Sequence, residues 1–123
     1  MKIEIKKYNK QKGNLGEKIA QKYLETCNYD IICTNFSSNR GEIDIIAKED
    51  DEYVFIEVKT RINREYGFAS ESVSTLKQLH IKNTAKYFLY KNDLLNKKIR
   101  FDIIEVYLKR KSYMLNHIKS VFW

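Results

Sequence analysis

The sequence predicts one α/β domain, assembled in the order helix, three strands, helix, two strands. Three observations predict it. A chain of 123 residues leaves room for one hydrophobic core, because a second would leave each half near the size where folding becomes marginal. At 43% hydrophobic, with 16 aromatic residues, four glycines and no proline, it has the composition of a folded protein and not of a linker or disordered tail. Finally, two stretches of helical period alternate with short runs rich in β-branched and aromatic residues.

Residues 1–12 are mostly charged and polar, with Met1, Ile3 and Ile5 alternating, which reads as a tail or a short edge strand. Asn14 followed by Glu17 resembles a capping box, and Leu15, Ile19, Ala20, Tyr23 and Leu24 then share one broad face, so a first helix is expected over 15–26. The run 29–36 reads as a strand closed by the turn formers Ser37, Ser38, Asn39, Arg40 and Gly41. Strands at 42–48 and 53–61 flank the polar turn 49–52 and predict a hairpin. A glycine-containing loop at 63–70 leads to a second helix from about Glu71 to Tyr90, with Ile81, Ala85, Phe88 and Leu89 inward and Lys77 and Gln78 also on the sheet side. Strands at 100–108 and near 113–118, parted by the basic turn Lys109, Arg110 and Lys111, close the chain.

The longest stretch free of Lys, Arg, Asp and Glu is the nine residues 31–39, far short of the roughly 20 that cross a bilayer. Residues 1–12 contain no apolar signal-peptide core, so the expectation is a cytoplasmic protein. Cys27 and Cys33 make neither a disulfide framework nor a zinc set and read as small buried thiols. Residues 1–61 carry 11 basic and 11 acidic side chains against 12 and 5 in residues 62–123, so the whole net charge of +7 lies in the second half. That surplus suits a phosphate backbone or an acidic partner, and equally an ordinary solvated surface. Seven carboxylates instead crowd into residues 42–57.

If the hairpin closes over its four-residue turn, facing residue numbers sum to 101. Asp44 then lies opposite Glu57, and Glu42 opposite Lys59. Glu42, Asp44, Glu57 and Lys59 share one face with Ile46 and Phe55, leaving Ile43, Ile45, Ile56 and Val58 on the other. Facing Cβ atoms on antiparallel strands lie about 4.5–5.5 Å apart, and like charges at that range call for a cation. Mg²⁺ fits, since it binds through one or two carboxylates plus waters and substrate phosphate. Lys59 would stand beside the attacking water and the scissile phosphate. The same residues also read as a solvated strand face with a cross-strand ion pair.

The segments GNLGEKIAQKYL (13–24), GEIDIIA (41–47), VFIEVKTR (54–61), YGFASESVSTLKQ (66–78), Arg100-Phe101-Asp102 and the closing HIKSVFW resemble the YraN-like family of small bacterial proteins, itself similar to the restriction-endonuclease-like superfamily that includes Holliday-junction resolvases. The resemblance implies an αβββαβ core, a central mixed sheet flanked by helices, with an extra C-terminal strand. It also implies a Mg²⁺- or Mn²⁺-dependent endonuclease acting on DNA, structured or branched. Carried over by position, it implies metal ligation by Asp44, Glu57 and the Val58 carbonyl, with Lys59 catalytic. Glu17 would reach the metal through water or merely cap its helix, and Gln78 would support the site or merely face solvent. Arg40, Arg61 and Lys77 would hold the phosphate backbone. The superfamily's proline before the first acid is replaced by Ile43. His80 and His117 read as surface or boundary residues, and Phe122 and Trp123 as packing onto the core or a second copy. A homodimer is left open. The rival function is a non-catalytic nucleic-acid-binding or assembly module on the same fold.

Overall fold

The computed structural model describes residues 2–62 and 74–122, residues 2–12 by their backbone only. Its elements are α1 (Lys2–Thr26), β1 (Asp30–Ser38), β2 (Gly41–Glu49), β3 (Glu52–Ile62), α2 (Thr75–Lys91), β4 (Lys98–Leu108) and β5 (Tyr113–Ile118). The strands form one mixed sheet in the order β1-β2-β3-β4-β5. Among the described strands only β3 and β4 pair in parallel, which requires a crossover such as the one that contains α2, and the other pairs are antiparallel. This is the α/β architecture expected, consistent with a restriction-endonuclease-like core plus one C-terminal strand.

Each face of the sheet carries one helix and one core. Under α1, Ala20 and Leu24 pack with Tyr29, Ile45, Ala47, Val54, Ile56, Ile104 and Val106. Under α2, Ile81, Ala85, Phe88 and Leu89 pack with Ile43, Ile46, Phe55, Phe101 and Ile103. The central strand β3 therefore splits residue by residue, Val54 and Ile56 to one core and Phe55 to the other, because successive strand side chains point to opposite faces.

Several expectations are corrected. Residues 2–12 are helical rather than a tail or an edge strand: five of them are lysine, a good helix former, and no proline interrupts them. Asn14 and Glu17 consequently lie inside α1, where no capping box exists. Helix α2 starts at Thr75, capped by the Ser74 hydroxyl, which accepts from the Lys77 N–H at 3.1 Å. The expected loop 63–70 and residues 71–73 lie outside the described residues. Cys27 is exposed just past the end of α1 and Cys33 is half-buried, both as free thiols. Phe122 stacks on Phe101 at 5.2 Å, so it packs onto the core, and Trp123 lies outside the described residues.

Candidate functional site

The β2–β3 hairpin has the register that the turn implied: Glu49 faces Glu52, Lys48 faces Tyr53, and Ile45 faces Ile56. The ladder stops there. Asp44 does not simply face Glu57 across it, for its Oδ2 accepts the Val58 N–H at 2.8 Å, so the carboxylate takes the place of a backbone acceptor between the two strands.

A coordinated irregularity on β1 and β2 turns Asp44 inward. Cys33 and Phe36 both pack toward α2, as do Ile43 and Ile46, although residues three apart on a regular strand point to opposite faces. Between them stand Asn35, which adopts a left-handed φ of 53°, and Asp44, which would face it in the β1–β2 register. Asparagine tolerates this backbone region better than other non-glycine residues. Ile43 thus leaves the face predicted for it and joins Ile46, and Asp44 sits at the crossover in the plane of the sheet.

Two clefts meet at this point. One, of about 340 Å³, opens toward α1 and is lined by Gly13, Glu17, Asp44, Glu57, Val58, Thr60 and Ile62. The other, of about 450 Å³, opens toward the start of α2, where Ser74, Leu76, Lys77, His80 and Ile81 complete a wall with Gly41, Glu42, Asp44 and Glu57. Close backbone approach makes both. A Cβ on Gly16 would collide with the Thr60 hydroxyl, so only glycine lets α1 lie this near β3 and bring Glu17 to the site. Gly41, at φ 156°, abuts Thr84 and His80 of α2, where a Cβ would lie 3.0 Å from the Thr84 Oγ1.

The electrostatics follow from crowding. Burial, then the charges of Glu57 and Glu17, push the Asp44 carboxyl up to about 7 against the opposing pull of the Val58 N–H. Burial also raises Glu17, with Glu42 and Glu57 adding to it and a hydrogen bond to the Asn35 side chain opposing. The Lys59 ammonium is depressed by burial and by Lys77, although Glu57 resists. Burial lowers Lys77, but Glu57, a hydrogen bond with Lys59 and the Asp44 charge together outweigh it, and it ends above its usual value. Its Nζ lies 3.2 Å from the Glu57 Oε1, closer than the 3.9 Å of Lys59.

Asp44, Glu57, Val58 and Glu17 therefore converge, with Lys59 and Lys77 at Glu57. Lys77, expected as a phosphate contact, stands at the acids themselves. Glu42 is exposed on the wall of the α2-side cleft and faces Ser37 on β1, while Lys59 leans on Glu57 instead. Gln78 is half-buried one residue beyond Lys77 and lines neither cleft. Arg40 is exposed in the β1–β2 turn, and Arg61 lies on β3 beside Tyr107 of β4. His80 is exposed and lines the α2-side cleft, whereas His117 is half-buried and bonded to Asp102 at 2.7 Å.

Sequence reasoning passed over Asn35, Thr60, Ser74 and Leu76. For Asn35 a signal existed, since asparagine is depleted in strands and stands here in the middle of one. It also passed over Glu105, which is 2% exposed, lies beside Lys59 in the β3–β4 register, and accepts from Tyr107 Oη at 2.6 Å and Asn116 Nδ2 at 3.1 Å.

Among the described residues, no three His, Cys, Asp or Glu side chains form a metal cage. A hard divalent cation needs less, and what it needs fits. Asp44 and Glu57 supply carboxylates. The N–H and C=O of one strand residue lie on the same edge, so the Val58 carbonyl is on the side where its N–H meets Asp44.

The model of a family described as "Uncharacterised protein family UPF0102" matches residues 16–106, which span α1 from Gly16 through most of β4. The chain is similar to a UPF0102 protein of Clostridioides difficile, 48% identical over 114 residues that cover 93% of this chain and 98% of that protein. It is also similar to one of Clostridium perfringens, 45% identical over 120 residues (96% and 98%), and to one of Caldicellulosiruptor saccharolyticus, 43% identical over 112 residues (89% and 95%). With the matched segment holding the sheet from β1 to β4 and every acid of the two clefts, the chain belongs to the UPF0102 family, the YraN-like family its motifs resemble.

Proposed function

We propose that the protein is a Mg²⁺-dependent endonuclease acting on DNA, structured or branched, with the acids of the two clefts as its centre. The observation that carries this reading is the placement of Asp44. A carboxylate set into the plane of the sheet, beside Glu57 and open to clefts on both faces, is costly unless a cation balances it.

Asp44, Glu57 and the Val58 carbonyl would hold the cation, and Glu17 would stand behind them. Bound there, a divalent cation supplies Lewis acidity toward a phosphate oxygen. The chain's own residues do the rest. The Val58 N–H fixes the Asp44 carboxylate at 2.8 Å, which removes its freedom to turn away. Lys59, its side chain 18% exposed, offers a positive charge where phosphate charge builds up during displacement. Its depressed pKa brings it nearer to accepting a proton from the attacking water. Arg61 and the lysines of the second half supply phosphate contacts, which position without reading sequence.

The test is cleavage of labelled four-way junction, flap, single-stranded and linear duplex DNA with Mg²⁺ or Mn²⁺, beside Asp44→Asn and Lys59→Ala. The reading expects metal-dependent cutting that both substitutions abolish, with Lys59→Ala still binding DNA. Cutting that survives both would refute it.

One observation favours a second reading, a nucleic-acid-binding or assembly module without turnover. Lys77 already stands 3.2 Å from Glu57 and balances part of its charge without a metal. Under that reading Mg²⁺ leaves the melting temperature unchanged, whereas a true site stabilises the fold by mass action.

A further inference from the structure

Helix α2 has two apolar faces. One packs on the sheet through Ile81, Ala85, Phe88 and Leu89. Opposite it lie Leu76, Leu79, Tyr87 and Tyr90, which are 62%, 52%, 38% and 70% exposed and fall on one stripe at 3.6 residues per turn, with the polar Asn83 at its middle. The helix also carries four lysines, Lys77, Lys82, Lys86 and Lys91, and neither Asp nor Glu. By helical position Lys82 and Lys86 edge the stripe on one side and His80 and Lys91 on the other. The stripe ends at the site, for Leu76 and Lys77 line the cleft that holds Asp44 and Glu57.

An apolar stripe between cationic rims selects its occupant. A second copy of α2 would set the three rim lysines, Lys82, Lys86 and Lys91, against three more, so the face does not suit self-association. A duplex offers phosphates but keeps its base faces stacked on one another. A single strand offers both phosphates and bare base faces, and base stacking on aromatic side chains between basic residues is the usual way such strands are held. We propose that the outer face of α2 is a track for single-stranded nucleic acid leading into the Asp44–Glu57 cleft. From Leu76 to Tyr90 the track runs about 21 Å, at about 1.5 Å per residue. Only the direction of travel, toward the acids, rests on the endonuclease reading.

The experiment is fluorescence anisotropy of a short labelled oligothymidylate, and of its duplex with oligoadenylate, titrated with the full chain in EDTA. The single strand is expected to bind more tightly. Tyr90→Ser and Leu79→Ser should each weaken it roughly tenfold without changing the salt dependence, while Tyr90→Phe keeps wild-type affinity. Lys86→Gln should instead lower the slope of log affinity against log salt by about 0.7. Thermal melts of each variant confirm folding, which these exposed positions should not disturb. Equal affinity for the duplex, or wild-type affinity in Tyr90→Ser, overturns the proposal. So does displacement of the oligonucleotide by polyglutamate at equal charge, which would assign the face to an acidic protein. With no metal present, the result is separate from cleavage: a nuclease lacking the track cuts DNA yet is indifferent to Tyr90→Ser, and a track without a nuclease binds single strands and cuts none.

Discussion

Asp44 combines burial, like charge and one backbone hydrogen bond in a single side chain, and the balance has a measurable sign. Its carboxyl stands near 7 in the folded chain against 3.8 ordinarily. Between those values the folded state binds more protons than the unfolded one, so stability contributed by this group declines as pH rises from about 4 to about 7, and the penalty is complete above that. Asp44→Asn, which keeps an oxygen for the Val58 N–H, should therefore raise the melting temperature of the metal-free protein at pH about 8 and change it little at pH about 4. A variant that is less stable than wild type at the higher pH would contradict this account. Lys77 permits a second prediction. Its ammonium contends with any cation for Glu57, so Lys77→Met should tighten Mg²⁺ a few-fold, in keeping with the up to about 1 kcal/mol that a half-exposed ion pair contributes. Thermal shift titrated with Mg²⁺ reads this directly, and unchanged affinity would mean that Lys77 does not compete.

At the scale of elements, the site depends on how closely α1 approaches β3. Gly16→Ala should lower stability by about 1–3 kcal/mol through overpacking against Thr60, although alanine is the better helix former. Removing the Thr60 hydroxyl in Gly16→Ala/Thr60→Ala should recover part of the loss, a coupling that a double-mutant cycle by urea denaturation measures. If the two effects simply add, α1 is not held off by this contact. The elements themselves were largely legible. The strands 42–48 and 53–61 are rich in β-branched and aromatic residues, and a turn of four polar residues left one economical register, which is why Lys48 faces Tyr53 as expected. The start of α1 was not legible, because Asn14 and Glu17 carry a capping signal that helix continuity through Lys2–Thr26 overrides. Nor was the crossover at Asn35 and Asp44, since a left-handed residue in a strand is decided by what its neighbours must pack against.

Across the whole molecule, a second polar cluster ties the layers together under α1. Arg100 on β4 pairs with Asp102, with Glu49 and Glu52 at the β2–β3 turn, and with the Tyr29 hydroxyl before β1. Asp102, 1% exposed, also bonds His117 of β5 and the Ser120 N–H, and His117 meets the Tyr23 hydroxyl of α1 at 2.8 Å. Although burial pushes Asp102 upward, these partners hold its carboxyl below the usual range. Its contribution is therefore present above about pH 4 and is lost as pH falls through the depressed value. Arg100→Met strands a buried carboxylate and should cost about 3–5 kcal/mol in urea denaturation at neutral pH. A loss below about 1 kcal/mol would show that His117 and the Ser120 N–H suffice for Asp102. No described helix is long and apolar enough to cross a membrane.

Residue order by itself determined the succession of elements, the hairpin register, and the gathering of Asp44, Glu57 and Lys59 on neighbouring strands, because alternation and turn length are local properties that a sequence displays. Only the tertiary structure decided that Asp44 lies in the plane of the sheet, that Glu17 reaches the site past Gly16, that Lys77 stands at Glu57, and that Arg100, Asp102 and His117 form one buried cluster. Each of those depends on distances between segments far apart in the chain. Such distances are set by how the described helices and strands pack at once, which no local pattern encodes.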